Sequence, residues 1–69
     1  MTVLVDREAL TYREKQVMRL VCEGLRDHEI AWVLGVSKHT VNSHVRRILH
    51  VLKARNRTHA VAVYVRSVE

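Results

Sequence analysis

The stretch from Ser37 to Leu52 constrains the fold of this chain more than any other part of the sequence. Its sixteen residues include neither proline nor glycine, and they are enough for about four helical turns. At helical spacing its apolar residues fall on one stripe, which consists of Val41, Val45, Ile48, Leu49 and Leu52. A helix with such a stripe buries it against neighbouring helices, so the pattern predicts an all-α domain.

The opposite face of this helix is polar and carries no carboxylate. Its side chains belong to His39, Asn42, Ser43, Arg46, Arg47 and His50. Arginine can pair with O6 and N7 of guanine, and asparagine with N6 and N7 of adenine, in the major groove of DNA. One face that packs into a core and another that presents these groups to solvent are typical of a helix that reads DNA.

The charge distribution points to the same partner. Residues 30–69 hold seven of the twelve Lys and Arg residues but only one of the seven Asp and Glu residues. The net charge of +5 therefore arises entirely in the second half, because residues 1–29 are slightly acidic. A solvated basic surface is the plain alternative, but together with the split helix the asymmetry favours binding to a polyanion such as double-stranded DNA.

Size and composition limit the remaining classes. We expect a single domain over 1–69, with residues 1–9 as an N-terminal extension, because 69 residues form one small core. No apolar run reaches the ~18 residues of a membrane span, and the first residues lack the features of a signal peptide. Cys22 is the only cysteine, which excludes an internal disulfide and fits the cytoplasm. We expect Cys22 to be buried in helix packing.

Start and stop signals divide the chain into helices. Thr11 and Glu14 form a capping box for a first helix, and Gly24 suits its end. Asp27 is expected to cap a second helix, whose inward face holds Ile30, Ala31 and Leu34.

The next signals predict a helix-turn-helix. Gly35 suits a tight turn and Ser37 caps the third helix, expected at about 38–53. Asn56 or Thr58 then caps a fourth helix that runs to about Val68.

The fourth helix is apolar on two sides. One side, expected to face the core, holds Val61, Tyr64, Val65 and Val68. The other side, expected to form the contact of a homodimer, holds His59, Ala62, Val63 and Arg66. A few exposed alanines and valines on a helix surface are the plain alternative. The contact is small, so we expect a dimer that forms mainly on DNA.

These signals together resemble the LuxR-type helix-turn-helix DNA-binding domain. The matching runs are Leu10-Thr11-x-Arg13-Glu14-x-x-Val17-Met18, Gly24, Glu29-Ile30-Ala31-x-x-Leu34-Gly35-Val36-Ser37, Thr40-Val41-x-x-His44-Val45-x-x-Ile48-Leu49 and Asn56-Arg57-Thr58-x-Ala60-Val61. The resemblance implies a bundle of four helices at the output end of a bacterial transcription regulator, with the third helix in the major groove and the fourth at a dimer contact. Either a freestanding small regulator, of phage or bacterial origin, or an excised output domain fits it.

The resemblance also assigns roles by position. It places Asn42, Ser43 and Arg46 at base edges. It places near phosphates the side chains of Lys38, His39, Thr40, Arg47 and His50. Asn42 stands where family members often have lysine, which predicts an altered base preference, and His59 stands where they often have an acidic or amide residue.

Trp32 supports a second class of function. It lies nearly opposite Ile30 and Leu34 on the second helix. As an anchor for a protein contact, it would suit an interaction module that docks on RNA polymerase or another regulator. The alternative is that Trp32 folds onto the first helix or onto the N-terminal segment Val3-Leu4-Val5.

Neither a metal site nor catalysis is expected. The five histidines include no pair separated by three or four residues, the spacing that a helical metal site needs. The sequence also contains no nucleophile elbow, glycine-rich phosphate loop or paired carboxylates, so we expect no cofactor and no enzyme activity.

Overall fold

The computed structural model describes residues 7–67, and this part of the chain is entirely helical apart from its turns. After a short 3-10 turn at Arg7–Ala9, the elements are α1 (Tyr12–Cys22), α2 (Asp27–Leu34), α3 (Lys38–Leu52) and α4 (Arg57–Arg66). The prediction of an all-α fold with four helices is confirmed. Between residues 7 and 67 no helix is both long and apolar enough to cross a bilayer.

Two helices begin at the cap residues that the sequence predicted, and α4 begins at Asn56, one of the two caps that the sequence left open. The Thr11 hydroxyl accepts a hydrogen bond from the Glu14 N–H (3.1 Å), and the Glu14 carboxylate accepts one from the Thr11 N–H (2.8 Å), which completes the capping box. The Ser37 hydroxyl accepts from the Thr40 N–H at the start of α3. The side chain of Asn56 accepts from the His59 N–H at the start of α4. Each bond satisfies a backbone donor that the helix itself leaves unpaired.

The start of α2 differs from the prediction. Arg26 occupies the cap position and Asp27 is the first helical residue, so the expectation that Asp27 caps this helix is wrong. The Glu29 carboxylate accepts a hydrogen bond from the Arg26 N–H at 2.8 Å. The carboxylate of Asp27 instead binds the guanidinium of Arg57, so it takes part in a tertiary contact rather than in a cap.

Left-handed residues end the first three helices. Gly24 (φ 89°) follows α1, and Gly35 (φ 70°) follows α2, as the sequence predicted. At the second of these ends the Val36 N–H donates to the carbonyl of Ala31 (3.0 Å). Residues 35–37 thus form the short turn of a helix-turn-helix. Lys53 ends α3 with φ 54°, a conformation that costs a residue with a Cβ atom more than it costs glycine.

The buried core joins all four helices, and α3 packs against each of the others. Its members are Leu10, Val17, Met18, Val21, Ile30, Ala31, Val41, Ile48, Leu52, Ala60 and Tyr64. The predicted stripe of α3 is confirmed, with Val45 and Leu49 half-buried at its edges. Cys22, which was expected to be buried, is exposed because it lies beside the inward row of α1 rather than on it.

Helix α4 is rotated relative to the prediction. Its buried residues are Ala60 and Tyr64, while Val65, assigned to the core, is 50% exposed. Val63, assigned to the outward face, is half-buried and packs against the core. Ala60 and Tyr64 are four residues apart and define the inward face of α4, so Val65 lies outside it. Val68 lies outside the described residues.

Replacing Lys53 by glycine is expected to stabilise the domain. The left-handed conformation costs an L-residue roughly 1–2 kcal/mol, and glycine loses about 0.5–1 kcal/mol more backbone entropy on folding. The net gain should be about 0.5–1 kcal/mol, which thermal unfolding would register as a rise in Tm of about 3–6 °C. Lys53→Ala is the control, because it removes the same side chain and keeps the Cβ atom. Equal Tm changes in the two variants would contradict the argument.

Candidate nucleic-acid interface

The outward face of α3 is a continuous polar surface. Its exposed residues are Lys38, His39, Asn42, Ser43, Arg46, Arg47 and His50. No acidic residue occurs in this helix. The opposite stripe is buried, so the orientation of the helix is fixed and this polar surface is held toward solvent.

Most of these side chains are uncommitted. Within residues 7–67, no hydrogen bond or ion pair involves the side chains of Lys38, His39, Asn42, Ser43, Arg46 and His50. Thr40 differs, because its half-buried hydroxyl lies 2.9 Å from that of Ser37 at the start of the helix. The donors and acceptors of the central residues are therefore available to a ligand without breaking an internal bond.

Arg47 is the exception among the arginines of this face. Its Nη1 atom donates to both carboxylate oxygens of Glu14, at 2.5 and 2.7 Å. The Glu14 side chain is 3% exposed and that of Arg47 is 53% exposed. The bond ties the beginning of α1 to the middle of α3, a contact that the sequence reading missed. The available signal was the position of Glu14 at helical spacing from the apolar Val17 and Met18, which places its carboxylate beside the core, where a buried charge requires a partner.

The environment of Glu14 lowers the pKa of its carboxyl group. Burial by itself raises this pKa, but hydrogen bonds from the Thr11 backbone and from Arg47, together with the positive charge of Arg47, outweigh burial. The net pKa lies below its ordinary value, so the carboxylate stays ionised and the ion pair persists at neutral pH.

Arg57 is a second structural arginine. Its guanidinium donates to the carboxylate of Asp27, and Nη2 donates to the carbonyl oxygen of Leu25 at 2.6 Å. These bonds attach the start of α4 to the turn between α1 and α2. From the sequence, Arg57 was part of the basic half and of the run that resembles the family, and no internal contact was predicted for it.

The two arginine contacts reduce the cationic surface that is open to a ligand. Among the seven basic residues after position 29, Arg47 and Arg57 bind carboxylates of the first half. Arg66 donates through Nε to the carbonyl of Ala62 (3.2 Å). Within residues 7–67, the basic side chains of the second half that lack any partner are Lys38, Arg46, Lys53 and Arg55.

The residues assigned to a dimer contact are only partly on one surface. Ala62 and Arg66 are exposed on α4, whereas His59 and Val63 are half-buried. The ring of His59 accepts a hydrogen bond at Nδ1 from the backbone N–H of Arg55 (3.0 Å). The exposed side of α4 therefore consists of Thr58, Ala62, Val65 and Arg66.

A groove borders this side of α4. Its volume is about 700 Å³ and it lies between α4 and the turn that joins α1 to α2. Apolar side chains of Val21, Leu25, Val61 and Ala62 line much of it. The groove and the exposed side of α4 share Ala62, so they form one largely apolar surface.

Trp32 lies on the outward side of α2 and is 85% exposed. This exposure rules out the alternative in which its ring is packed onto α1. The other alternative involved residues 3–5, which lie outside the described residues. Val33, beside it, is 52% exposed, so α2 presents an apolar patch of its own.

The described residues contain no candidate metal centre. Between positions 7 and 67, no three side chains of His, Cys, Asp or Glu lie close enough together to hold a metal ion.

Comparison with known proteins gives the family. The family model named for bacterial regulatory proteins of the luxR family matches residues 8–64, from the 3-10 turn to the last turns of α4. This chain belongs to the luxR family of bacterial regulatory proteins. Membership of this family confirms the sequence prediction of a DNA-binding helix-turn-helix domain of the kind found in transcription regulators.

Full-length relatives of this luxR-family domain are much longer. The chain is 43% identical over 60 residues to the uncharacterized transcriptional regulatory protein YxjL of Bacillus subtilis, which covers 87% of this chain and 28% of that protein. It is 40% identical over 56 residues to the transcriptional regulatory protein DesR of Bacillus subtilis, covering 81% and 28%. The nitrate/nitrite response regulator protein NarP of Escherichia coli is 38% identical over 55 residues, covering 80% and 26%. The chain thus spans little more than a quarter of each relative.

Removing the charge of Glu14 is expected to destabilise the domain in a pH-dependent way. Because the folded pKa lies below the unfolded value, the ion pair stabilises the fold fully above the unfolded pKa, and this contribution is lost as pH falls through the folded pKa. Glu14→Gln should lower the free energy of unfolding by about 1–3 kcal/mol at neutral pH. Denaturant unfolding from neutral to acidic pH measures the difference.

The matched control is Glu23→Gln, because Glu23 is an exposed residue that follows the same helix. This change should leave the pH dependence nearly as it is in the unsubstituted protein. The gap between the unsubstituted protein and Glu14→Gln should close on acidification. A gap that stays constant with pH would show that the charge of Glu14 is not what stabilises the contact.

Proposed function

We propose that this luxR-family domain recognises a specific site in double-stranded DNA with α3 in the major groove. The observation that carries the proposal is the outward face of α3, which has no carboxylate and on which the side chains of Asn42, Ser43 and Arg46 have no internal partner between residues 7 and 67. Such groups match the donors and acceptors that base pairs expose in the major groove. Control of transcription, in the cytoplasm and without a catalytic step, is the proposed outcome.

The proposal divides the face into two roles. Asn42, Ser43 and Arg46 contact base edges, because they are exposed near the middle of the helix. Phosphate contacts at the rim of the groove are proposed for Lys38, His39, Thr40, Arg47 and His50. The 15 residues of α3 span about 22 Å, while the major groove is about 12 Å wide, so residues at the helix ends can reach the phosphate backbones.

Arg47 has a more specific place in this scheme. Its guanidinium is already bonded to the nearly buried carboxylate of Glu14. A DNA phosphate that contacts Arg47 would therefore share the guanidinium with Glu14. We propose that Arg47 chiefly fixes α3 relative to α1 and contributes to DNA affinity as a secondary effect.

We also propose that two copies bind a palindromic site through α4. The exposed side of this helix is rich in small and apolar residues, and it adjoins the apolar groove beside the turn between α1 and α2. A two-fold axis through this surface would place two copies of α3 about one helical turn of DNA apart. The contact centres on Ala62 and Val65, with Arg66 and His59 at its rim.

A second candidate function rests on Trp32. Its 85% exposure, next to the exposed Val33, suits a contact with another protein such as RNA polymerase or a second regulator. In that case α2 would be the functional surface. The uncommitted polar face of α3 favours DNA reading as the primary function.

Arg46→Ala is expected to weaken binding to a specific duplex by about 1–3 kcal/mol, because it removes a base contact. The affinity for a random duplex should fall much less, because there the change removes only the non-specific attraction of one positive charge. Fluorescence anisotropy titrations with a duplex selected from a random library and with an unselected duplex would give both affinities. An equal loss on the two duplexes would refute the base-reading role of Arg46.

Val65→Glu is expected to abolish cooperative occupation of a duplex with two half-sites, because it puts a charge into the proposed α4 contact. Affinity for a single half-site should change only slightly. Val33→Glu is a matched control, since both valines are about half exposed and both changes add one negative charge. If the Val65→Glu variant occupied the two half-sites as cooperatively as the Val33→Glu variant, the α4 dimer would be excluded.

A further inference from the structure

The connection between α3 and α4, residues 53–56, carries a pair of cations to which neither the sequence reading nor the family comparison gives a role. Lys53 and Arg55 are both exposed, and their side chains have no partner between residues 7 and 67. No acidic residue occurs from position 30 to position 67, so no carboxylate of the second half competes for them there. We call these two residues the link cations.

Hydrogen bonds fix the backbone that carries the link cations. The Ala54 N–H donates to the carbonyl of Leu49 (2.9 Å), and the Arg55 N–H donates to Nδ1 of His59 (3.0 Å). Asn56 caps α4, and half-buried Ala54 packs against the core. A connection held at successive residues presents its charges at defined positions, which lowers the ordering cost when a ligand binds.

The link cations continue the charged surface of α3. Lys53 follows Arg46 by seven residues, or about two helical turns, so it lies on nearly the same side of the helix and about 10 Å farther along the axis. That distance is close to the width of the major groove, about 12 Å. With Arg46 over the bases, about 10 Å exceeds half of that width, so Lys53 would lie at the edge of the groove beside the sugar-phosphate backbone. Arg55 follows Lys53 by two residues in the same connection.

We propose that Lys53 and Arg55 form a second DNA-backbone site, which binds phosphates beyond the carboxyl end of α3. The proposal rests on the proposed function, because it requires α3 to enter the groove. Lys38 lies at the first turn of α3, so the link cations add a phosphate contact at the other end of the same helix. The ligand is the phosphate backbone of duplex DNA, and its recognition is by charge and is independent of base sequence.

The test uses the salt dependence of binding, which counts phosphate contacts. A protein that loses one such contact shows a slope of log K against log salt that is smaller by about 0.9. The whole chain and the variants Lys53→Gln, Arg55→Gln and their combination would be titrated by anisotropy against one fluorescein-labelled duplex of mixed sequence, over a series of KCl concentrations. Each single change should reduce the slope by about 0.9, and the combination by about 1.8.

Arg19→Gln is the matched control for charge. Arg19 is exposed on α1, and the change removes the same single positive charge. The slope of this variant should equal that of the unsubstituted chain. Arg55→Lys retains the charge and should also retain the slope. Thermal unfolding of every variant establishes that the comparison is made between folded proteins.

The outcomes separate this proposal from the proposed function. Slopes for Lys53→Gln and Arg55→Gln that match Arg19→Gln would overturn the second backbone site. If Arg46→Gln lowered the slope in the same experiment, DNA binding by α3 would stand without it. Absence of salt-dependent binding by the unsubstituted chain would instead overturn the proposed function, and the link site with it.

Discussion

The burial of one face of α3 is the constraint on which the rest of the structure depends. Val41, Ile48 and Leu52 are at most 1% exposed, and they lie among residues of α1, α2 and α4. Each such side chain contributes about 1.5–3 kcal/mol when it leaves water, a large share of the stability of so small a domain. Because the buried stripe fixes the rotation of α3, the same packing that holds the domain together also decides which side chains face a ligand.

The basic charge of the second half serves two purposes that the sequence does not separate. Arg47 and Arg57 reach back to Glu14 and Asp27, so two carboxylates of the first half hold two cations of the second. The Lys and Arg side chains of the second half that have no partner among the described residues lie on α3 and on its connection to α4. The excess charge of the second half is therefore partly internal structure and partly an open surface for a polyanion. Loss of Arg47 should therefore lower the stability of the domain more than it lowers the affinity for DNA.

Local features such as the helix caps could be predicted from the sequence, whereas the rotation of α4 and the long-range ion pairs could not. The caps at Thr11, Ser37 and Asn56 depend on side chains that bond to a backbone a few residues away, so their positions followed from residue type and spacing. The rotation of α4 buries Ala60 and Tyr64, and periodicity could not predict this choice because both faces of the helix are apolar. The partners of Arg47 and Arg57 lie about thirty residues away in the chain, beyond the reach of spacing arguments.

The most direct test of the central claim is a nuclear magnetic resonance titration of the nitrogen-15-labelled domain with a duplex selected from a random library. Our account predicts that the side-chain amide of Asn42 and the Nε–H of Arg46 shift most, together with backbone amides along the outward face of α3. The Nε–H of Arg47, a residue whose guanidinium is held through Nη1 by Glu14, should shift less. Shifts centred on the indole N–H of Trp32 and on α2, with α3 unchanged, would contradict it.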